Sequence, residues 1–473
     1  MAKKLKNKKK KSVFGIILCI IQIILSIALF TQASVIPGKY LIILIIALFG
    51  IFALTFSMQF AGKGAKIAGK IISIIVSICL VAGVYGLYTM NHFMDSIGTE
   101  GLKIDNMVVV VRNDDPAESI LDAKDYKFGV QESIDKENTE KMIKEVEKLV
   151  DKRIQKKAFK SMDEMATALL NKDVDAIIYN QAFTGIIEEA ISDYQTKVKI
   201  IHQFGIETKI EEKEVDVSQG FNIYISGIDV SGPISTTSRS DVNIIMTVNP
   251  ETKKILLTST PRDFYVPIPE ISGGARDKLT HAGLYGVDAS IRTLEELYGI
   301  DIAYYAKVNF SSLINIVDVL GGVDVYSEYT FSAGGYDYYE GMNHMDGDMA
   351  LAFSRERYSF ASGDNQRGKN QEAVIEGILN KAMSPAILSN ASSLIASVSD
   401  SVETNMGSDK MKQLINMQLS DGSSWEIDSQ SAGGNGDYNV CYSSGSQSLY
   451  VMNPDMDIVN GCAAWIKGVI AGE

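Results

Sequence analysis

The segment FSRERYSFASGDNQRGKNQ at 353–371 concentrates residue types that bind phosphate. Arg355 and Arg357 stand two apart on a strand-like stretch, a spacing that projects both guanidinium groups to one face. Charges so placed repel unless an anion lies between them; a solvated surface pair is the plain alternative. Gln366, Arg367, Lys369 and Gln371 follow within about one loop and helix turn. Arg367 and Gln371 are spaced i,i+4 at the start of the helix NQEAVIEGILNKAM, whose N-terminus itself favours anions. Because guanidinium forks match phosphate oxygens in pairs, the cluster reads as a pyrophosphate or polyphosphate cradle.

Three further segments place charge at strand ends and turns, where α/β folds keep their sites. In GIDV and SRSDVNIIM, Asp229 and Asp241 stand at the end and the start of apolar strands, suited to hold a divalent cation through carboxylate oxygens. Turn or capping aspartates are the alternative. In TSTPRDFYVPIP, Arg262 and Asp263 follow the apolar strand ILLTSTP, which makes Arg262 a phosphate-binding candidate. RDKLTHAGLYG adds Arg276, Lys278 and His281 in a loop leading into a helix, where a lone His is more often structural than catalytic. No GxSxG elbow and no recognisable Ser-His-Asp or Cys-His set supplies a covalent nucleophile. No CxxC, CxxH or HExxH spacing suggests zinc.

The elements that must position these residues follow from hydrophobic period. From Met107 a strand MVVVV, a turn-rich NDDPAES, a strand KFGVQ, helices near 137–152 and 161–171 and a strand DAIIY at 175–179 alternate into a small α/β unit over about 100–215. Within it, ALLNKDVDAIIYNQ and FGVQES are similar to lobes of solute-binding proteins, though a ligand-free spacer domain fits equally. After the charged linker IETKIEEKEVDVSQG come strands in FNIYISGIDV, DVNIIMTVNP and KKILLTSTPRDFYVPI, and a helix in VDASIRTLEELYGI. A strand in YYAKVNF, a helix in SSLINIVDVL and a strand after Gly321-Gly322 complete the pattern. Alternating strands and helices predict an α/β/α sandwich with a central mixed or parallel sheet. The expected domains are 1–94, 95–220, 221–385 and a C-terminal extension at 386–473 packing on the third. That extension is rich in Ser and Gly and carries no obvious chemistry.

Charge completes the outline. The 473 residues carry 45 Lys+Arg and 58 Asp+Glu, a formal net charge of −13. Residues 1–70 hold eleven Lys and no acid, so the remainder carries −24. An acidic body of this kind does not bind nucleic acid by bulk charge. Uncharged runs at 13–33, 40–60 and 71–94, the first preceded by seven Lys, predict three membrane-spanning helices. Lys-rich segments at 3–11 and 63–70 belong inside, which puts residues 95–473 outside after an odd number of crossings. Cys441 and Cys462 then fall where a disulfide is permitted, the alternative being two unpaired core thiols.

The series SRSDVN, TSTPRDFYV, DKLTHAGLYGVD, TLEELYGI, NFSSLINIVDVLGGVDV and FSRERYSFASGDNQRGKNQ closely resembles the LytR-CpsA-Psr (LCP) family. Three N-terminal spans and an extra domain resemble its capsule-type members. The resemblance covers about 221–385. It implies a membrane-anchored phosphotransferase at the cell wall of a Gram-positive bacterium. Such an enzyme moves a capsular or teichoic-acid-type glycopolymer from undecaprenyl pyrophosphate onto peptidoglycan, with magnesium, or alternatively manganese, as the ion. It implies further that Asp229 and Asp241 bind the metal, that Arg262, Arg355, Arg357, Arg367 and Gln371 contact the pyrophosphate, and that Lys278 is a weaker match. Arg262, Arg355, Arg357 and Asp241 would then carry the catalysis. Asn365, Gln366 and Lys369 depart from the family pattern, and Lys369 keeps charge without a bidentate fork. Apolar residues of 311–320 and 374–379 are candidates for a lipid tunnel, with plain core as the alternative. Expected partners are the polyprenyl-pyrophosphate-linked polymer, peptidoglycan, membrane lipid and the capsule or wall-polymer assembly proteins, and no nucleic acid. Competing readings are an envelope regulator or attenuator, a glycan receptor built on residues 100–215, and a polyprenyl-pyrophosphate hydrolase.

Overall fold

A computed structural model describes residues 12–97, 102–131, 134–209, 214–228, 234, 237–361, 363–384, 402–445 and 447–473. The chain forms two compact units: 1–99 with 388–399 and 407–424, and 100–387 with 400–406 and 425–473.

In the first unit, uncharged sequence folds as three helices: α1 (Val13–Thr31), α2 (Gly38–Met58) and α3 (Lys63–Ile97). Each is long and apolar enough to cross a membrane. Their shared interface is polar at one level. The Gln22 side-chain oxygen accepts from the Thr55 hydroxyl at 3.2 Å and the Ser73 hydroxyl at 3.5 Å, so one residue of α1 ties both other helices. Gly15 and Gly69 make room for Gln59, whose amide a Cβ at either position would strike. The same unit contains the amphipathic helix Ser408–Asp421.

The second unit holds two sheets. The first is built from β1 (Leu102–Arg112), β2 (Lys127–Gln131), β3 (Gln155–Phe159), β4 (Ala176–Asn180) and β5 (Val198–Lys209), in the order β3-β2-β4-β1-β5. β2 runs parallel to β3 and β4, while β1 runs antiparallel to β4 and β5. The four valines of β1 show why it sits inside. Alternation sends Val108 and Val110 to a core with α5 (Met162–Leu170) and α6 (Thr184–Ala190), and Val109 and Val111 to one with α4 (Lys136–Leu149). The short helix α7 (Tyr194–Lys197) leads into β5.

The second sheet takes β6 (Phe221–Ile228), β7 (Ser240–Asn249), β8 (Lys254–Ser259), β11 (Tyr304–Asn309), β16 (Val402–Thr404) and β17 (Glu426–Ser431), in the order β16-β11-β6-β7-β8-β17. β11 is parallel to β6 and β17 to β8, and the other pairings are antiparallel, so the sheet is mixed. On one face Tyr224, Ile245, Leu256 and Tyr305 pack against α9 (Val287–Tyr298) and the C-terminal helix Met456–Ala471. On the other lie α10 (Phe310–Val319), α11 (Gly347–Arg355) and α12 (Asp364–Ala382). Small ladders β9 (Tyr265–Pro267) with β10 (Arg276–Lys278), β12 (Val323–Ser327) with β15 (Gly341–Met345), β13 (Phe331–Ala333) with β14 (Tyr336–Tyr338), and β18 (Gly434–Val440) with β19 (Ser448–Pro454) complete the unit. The turn α8 (Leu279–Ala282) follows β10. This is the α/β sandwich with a mixed central sheet that the alternating pattern predicts.

Two local expectations are corrected. Arg355 ends a helix, not a strand: Asp346 caps α11 by accepting from the Met349 N–H at 2.9 Å, and Met-Ala-Leu-Ala favours the helix. Arg276 and Lys278 lie on β10, paired to β9, and not in a loop.

Candidate active site

Asp241 is the second residue of β7, and Arg262 lies on the turn leaving β8. Two backbone bonds fix that turn. Thr260 N donates to Asn243 O at 2.8 Å, and Thr280 N donates to Arg262 O at 2.8 Å. The side chains then form a chain of alternating charge. Arg262 Nη1 meets Asp241 Oδ1 at 2.9 Å, Arg262 Nε lies 3.9 Å from Asp263 Oδ2, and Lys278 Nζ is 3.1 Å from Asp263 Oδ1. The Thr280 hydroxyl also donates to Asp241 Oδ1, at 3.2 Å. Asp241 Oδ2 takes no hydrogen bond among the described residues, and its side chain is 23% exposed. A carboxylate oxygen without a hydrogen bond, on a side chain partly open to solvent, suits a hard divalent cation. Asp229, the expected second ligand, lies outside the described residues.

The second group of expected residues sits where α11 meets α12. Asn370 Nδ2 donates to Phe353 O at 3.2 Å and Gln371 Nε2 to Ser354 O at 3.4 Å. Side chains of α12 thus satisfy carbonyls at the end of α11, where the intrahelical ladder has run out. Arg355, next in line, lays its guanidinium 4.3 Å from the Phe310 ring centre and is otherwise exposed. The Arg357 Nη2 donates to the Tyr358 hydroxyl at 2.7 Å. Arg367 lies half-buried in the first turn of α12. Lys369 points elsewhere and pairs with Glu328 at 3.0 Å.

Glu372 and Gly368 connect the two groups. A Cβ on Gly368 would come 2.8 Å from the Ser259 hydroxyl, so α12 lies directly on the end of β8. Glu372, 3% exposed, accepts from Ser259 N at 2.9 Å and from the Ser431 hydroxyl at 3.5 Å. Burial pushes its carboxyl up to about 8, against a smaller lowering by those two hydrogen bonds. Glu372, Thr280 and Asn370 are absent from the sequence expectations. The only sequence signal for Glu372 is a carboxylate adjacent to Gln371 where α12 turns from its polar first half to the apolar run AVI.

His281 is structural, as its sequence context suggests. It is buried, with Nδ1 2.6 Å from Asp277 Oδ1. Asp277 also accepts from Lys278 N at 2.8 Å, Ser443 N at 2.8 Å and the Ser443 hydroxyl. Burial works to raise the Asp277 carboxyl, but the His281 charge and these bonds outweigh it and hold it below its ordinary value. Asp277, His281 and Cys441 bring ligand atoms within 4.8 Å of one another, yet the carboxylate is already saturated by hydrogen bonds. The group therefore pins the C-terminal residues to β10. Cys441 and Cys462 are both buried free thiols in separate cores, and burial pushes the Cys441 thiol up to about 12. Of the expected tunnel residues, Leu313, Ile314, Ile316, Ile375, Ile378 and Leu379 are half-buried, whereas Val317 and Val374 are core.

Residues 187–456 match the model of the LytR_cpsA_psr family, more than half of the chain. The chain belongs to the LytR_cpsA_psr family. A relative from Enterococcus faecalis, named polyisoprenyl-teichoic acid–peptidoglycan teichoic acid transferase TagU, is 36% identical over 210 residues, 44% of this chain and 68% of its own. The protein of the same name from Bacillus mycoides is 34% identical over 203 residues, 43% of this chain and 66% of its own. Among solved structures, B. subtilis TagV is 24% identical with a TM-score of 0.46, covering 54% of this chain and 98% of that one. TagT bound to LI-WTA is 25% identical with a TM-score of 0.44, covering 55% and 94%.

Proposed function

We propose that this LytR_cpsA_psr member is a membrane-anchored phosphotransferase. It would move a polyprenyl-pyrophosphate-linked glycopolymer of capsular or teichoic-acid type onto peptidoglycan. The observation that supports this reading best is the chain Asp241–Arg262–Asp263–Lys278, joined through Ser259 and Glu372 to the helix junction that carries Arg355, Arg357, Arg367 and Gln371. Such a set binds and neutralises a pyrophosphate but offers no nucleophile of its own. The family and the names of the teichoic acid transferases related to it support the same substrate class.

In the proposed reaction a sugar hydroxyl oxygen of peptidoglycan attacks the phosphorus that bears the glycan. The bond from that phosphorus to the polyprenyl phosphate breaks, the hydroxyl proton passes to solvent water, and a phosphodiester forms. Arg355, Arg357 and Arg367 would take up charge on the leaving phosphate, while Asp241 and Asp263 orient Arg262 toward the reacting group. Asp241 and Asp229 would hold magnesium, which when bound neutralises pyrophosphate oxygens. The half-buried apolar residues of α10 and α12 would line the path of the lipid. The Lys-rich N-terminal segments favour a cytoplasmic N-terminus and a catalytic part outside the cell.

Transfer and hydrolysis differ only in the attacking oxygen. Vesicles carrying the full chain are supplied with undecaprenyl-pyrophosphate-linked oligosaccharide and magnesium, with and without peptidoglycan oligomers. Glycan joined to peptidoglycan through a phosphodiester supports transfer. Equal release of free phosphorylated oligosaccharide in both reactions would replace it with hydrolysis.

A further inference from the structure

The chain leaves the six-stranded sheet at edge strand β16 and rejoins it at the opposite edge as β17. Between them stands the helix Ser408–Asp421, which packs against α3 and the turn Ala33–Val35 of the N-terminal unit. At 100° per residue, Met411, Leu414, Ile415, Met417 and Leu419 fall within an arc of about 200° that also holds Gln418 and, toward the helix ends, Lys410 and Asp421, while Lys412, Gln413, Asn416 and Ser420 lie on the opposite side.

Asn416 of the polar side is bonded to the link between α1 and α2, and the helix end is bonded to the first turn of α2. Asn416 Nδ2 donates to Ser34 O at 2.9 Å, and Lys39 Nζ donates to Ser420 O, a terminal carbonyl where a cation also meets the helix dipole favourably. The five apolar side chains of the arc are only half-buried, and none enters a core. Membrane crossing adds a constraint independent of orientation. Two spans separate residues 33–37 from everything after residue 97, so both must lie on the same side of the bilayer. The helix is therefore held beside span ends that emerge on its own side, and lipid-facing side chains such as Ile20, Ile24 and Ile27 of α1 are exposed on those spans.

We propose that helix 408–421 lies in the membrane interface, with the arc of Met411, Leu414, Ile415, Met417 and Leu419 against the acyl chains of the surrounding bilayer lipid. Its length, its mainly apolar arc and its polar bonds to span ends are those of an interfacial helix and not of a fourth span.

The test uses the full chain in vesicles of phosphatidylcholine and phosphatidylglycerol. Trp425 and Trp465, the two tryptophans of the chain, are replaced by Phe, and a single Trp is placed by Leu414→Trp, Ile415→Trp or Gln413→Trp. Lipids brominated on the acyl chain near the headgroup should quench the first two at least roughly twofold more than the third. Equal quenching at the three positions, or none at Leu414→Trp and Ile415→Trp, would overturn the proposal. The wild-type chain gives a second reading. A lipid carrying a photoactivatable acyl chain should label residues 411–419 as well as the spans, and labelling confined to residues 13–92 would overturn the proposal equally.

Discussion

Glu372→Gln isolates one buried proton at the joint between the two charged groups. In wild type the Glu372 carboxyl, pushed up to about 8, sits far above its ordinary 4.5 because burial penalises its charged form. A carboxyl whose folded value is raised binds its proton more tightly in the folded state. The stability it contributes is therefore fully present below pH 4.5 and is lost as pH rises through about 8. The slope between those limits approaches 1.4 kcal/mol per pH unit, and allowing for relaxation the loss from pH 5 to 8 is roughly 2–4 kcal/mol. Gln keeps the shape: its amide oxygen can accept from Ser259 N and its NH2 can donate to the Ser431 hydroxyl. Melting temperatures of both proteins are measured from pH 5 to 8. The variant should gain on wild type by roughly 4–8 °C across that range, with transfer retained. Parallel curves would refute a buried, proton-bearing Glu372.

Lys369→Ala removes an exposed ion pair with Glu328 and should cost less than about 1 kcal/mol, with transfer within about twofold of wild type, read by melts and initial rates. Asp277→Ala strands His281 and Ser443 in a buried site and should lower stability by roughly 3 kcal/mol, seen as a fall in melting temperature. Cys441 and Cys462 should resist alkylation at neutral pH in the folded protein and both react once it is denatured without reductant. A bridged peptide in the denatured digest would contradict two free thiols.

The anchor was legible because charge-free runs at 13–33, 40–60 and 71–94 leave little choice, and the helices at 13–31, 38–58 and 63–97 follow them within a few residues at most ends. Strands β1, β6, β7 and β8 were legible because buried strands read as continuous apolar runs. Arg355 was misplaced on a strand because RERY lacks any period, while the signal for the helix, Asp346 as its cap, lies nine residues upstream. β17, EIDSQS, has almost no apolar residue; it is half-exposed at a sheet edge and owes its place to parallel pairing with β8. Asp241 and Arg262 could be named from strand ends, but their 2.9 Å contact depends on the register of β7 against β8. The link of Asp277 to Ser443 spans 166 positions, and only the fold sets it.

The central claim is that the arginines at the α11–α12 junction and Asp241 serve one phosphoryl transfer. The most direct test measures kcat/KM for transfer of undecaprenyl-pyrophosphate-linked oligosaccharide to peptidoglycan oligomers by the full chain in vesicles with magnesium, comparing wild type with Arg355→Ala and Asp241→Ala. Each substitution should lower it by roughly 10² to 10³-fold while the variant still melts as a folded protein, since Arg355 is exposed and Asp241 is partly open to solvent. Rates unchanged in both variants, or a wild type that binds the lipid pyrophosphate without turning it over, would contradict the claim.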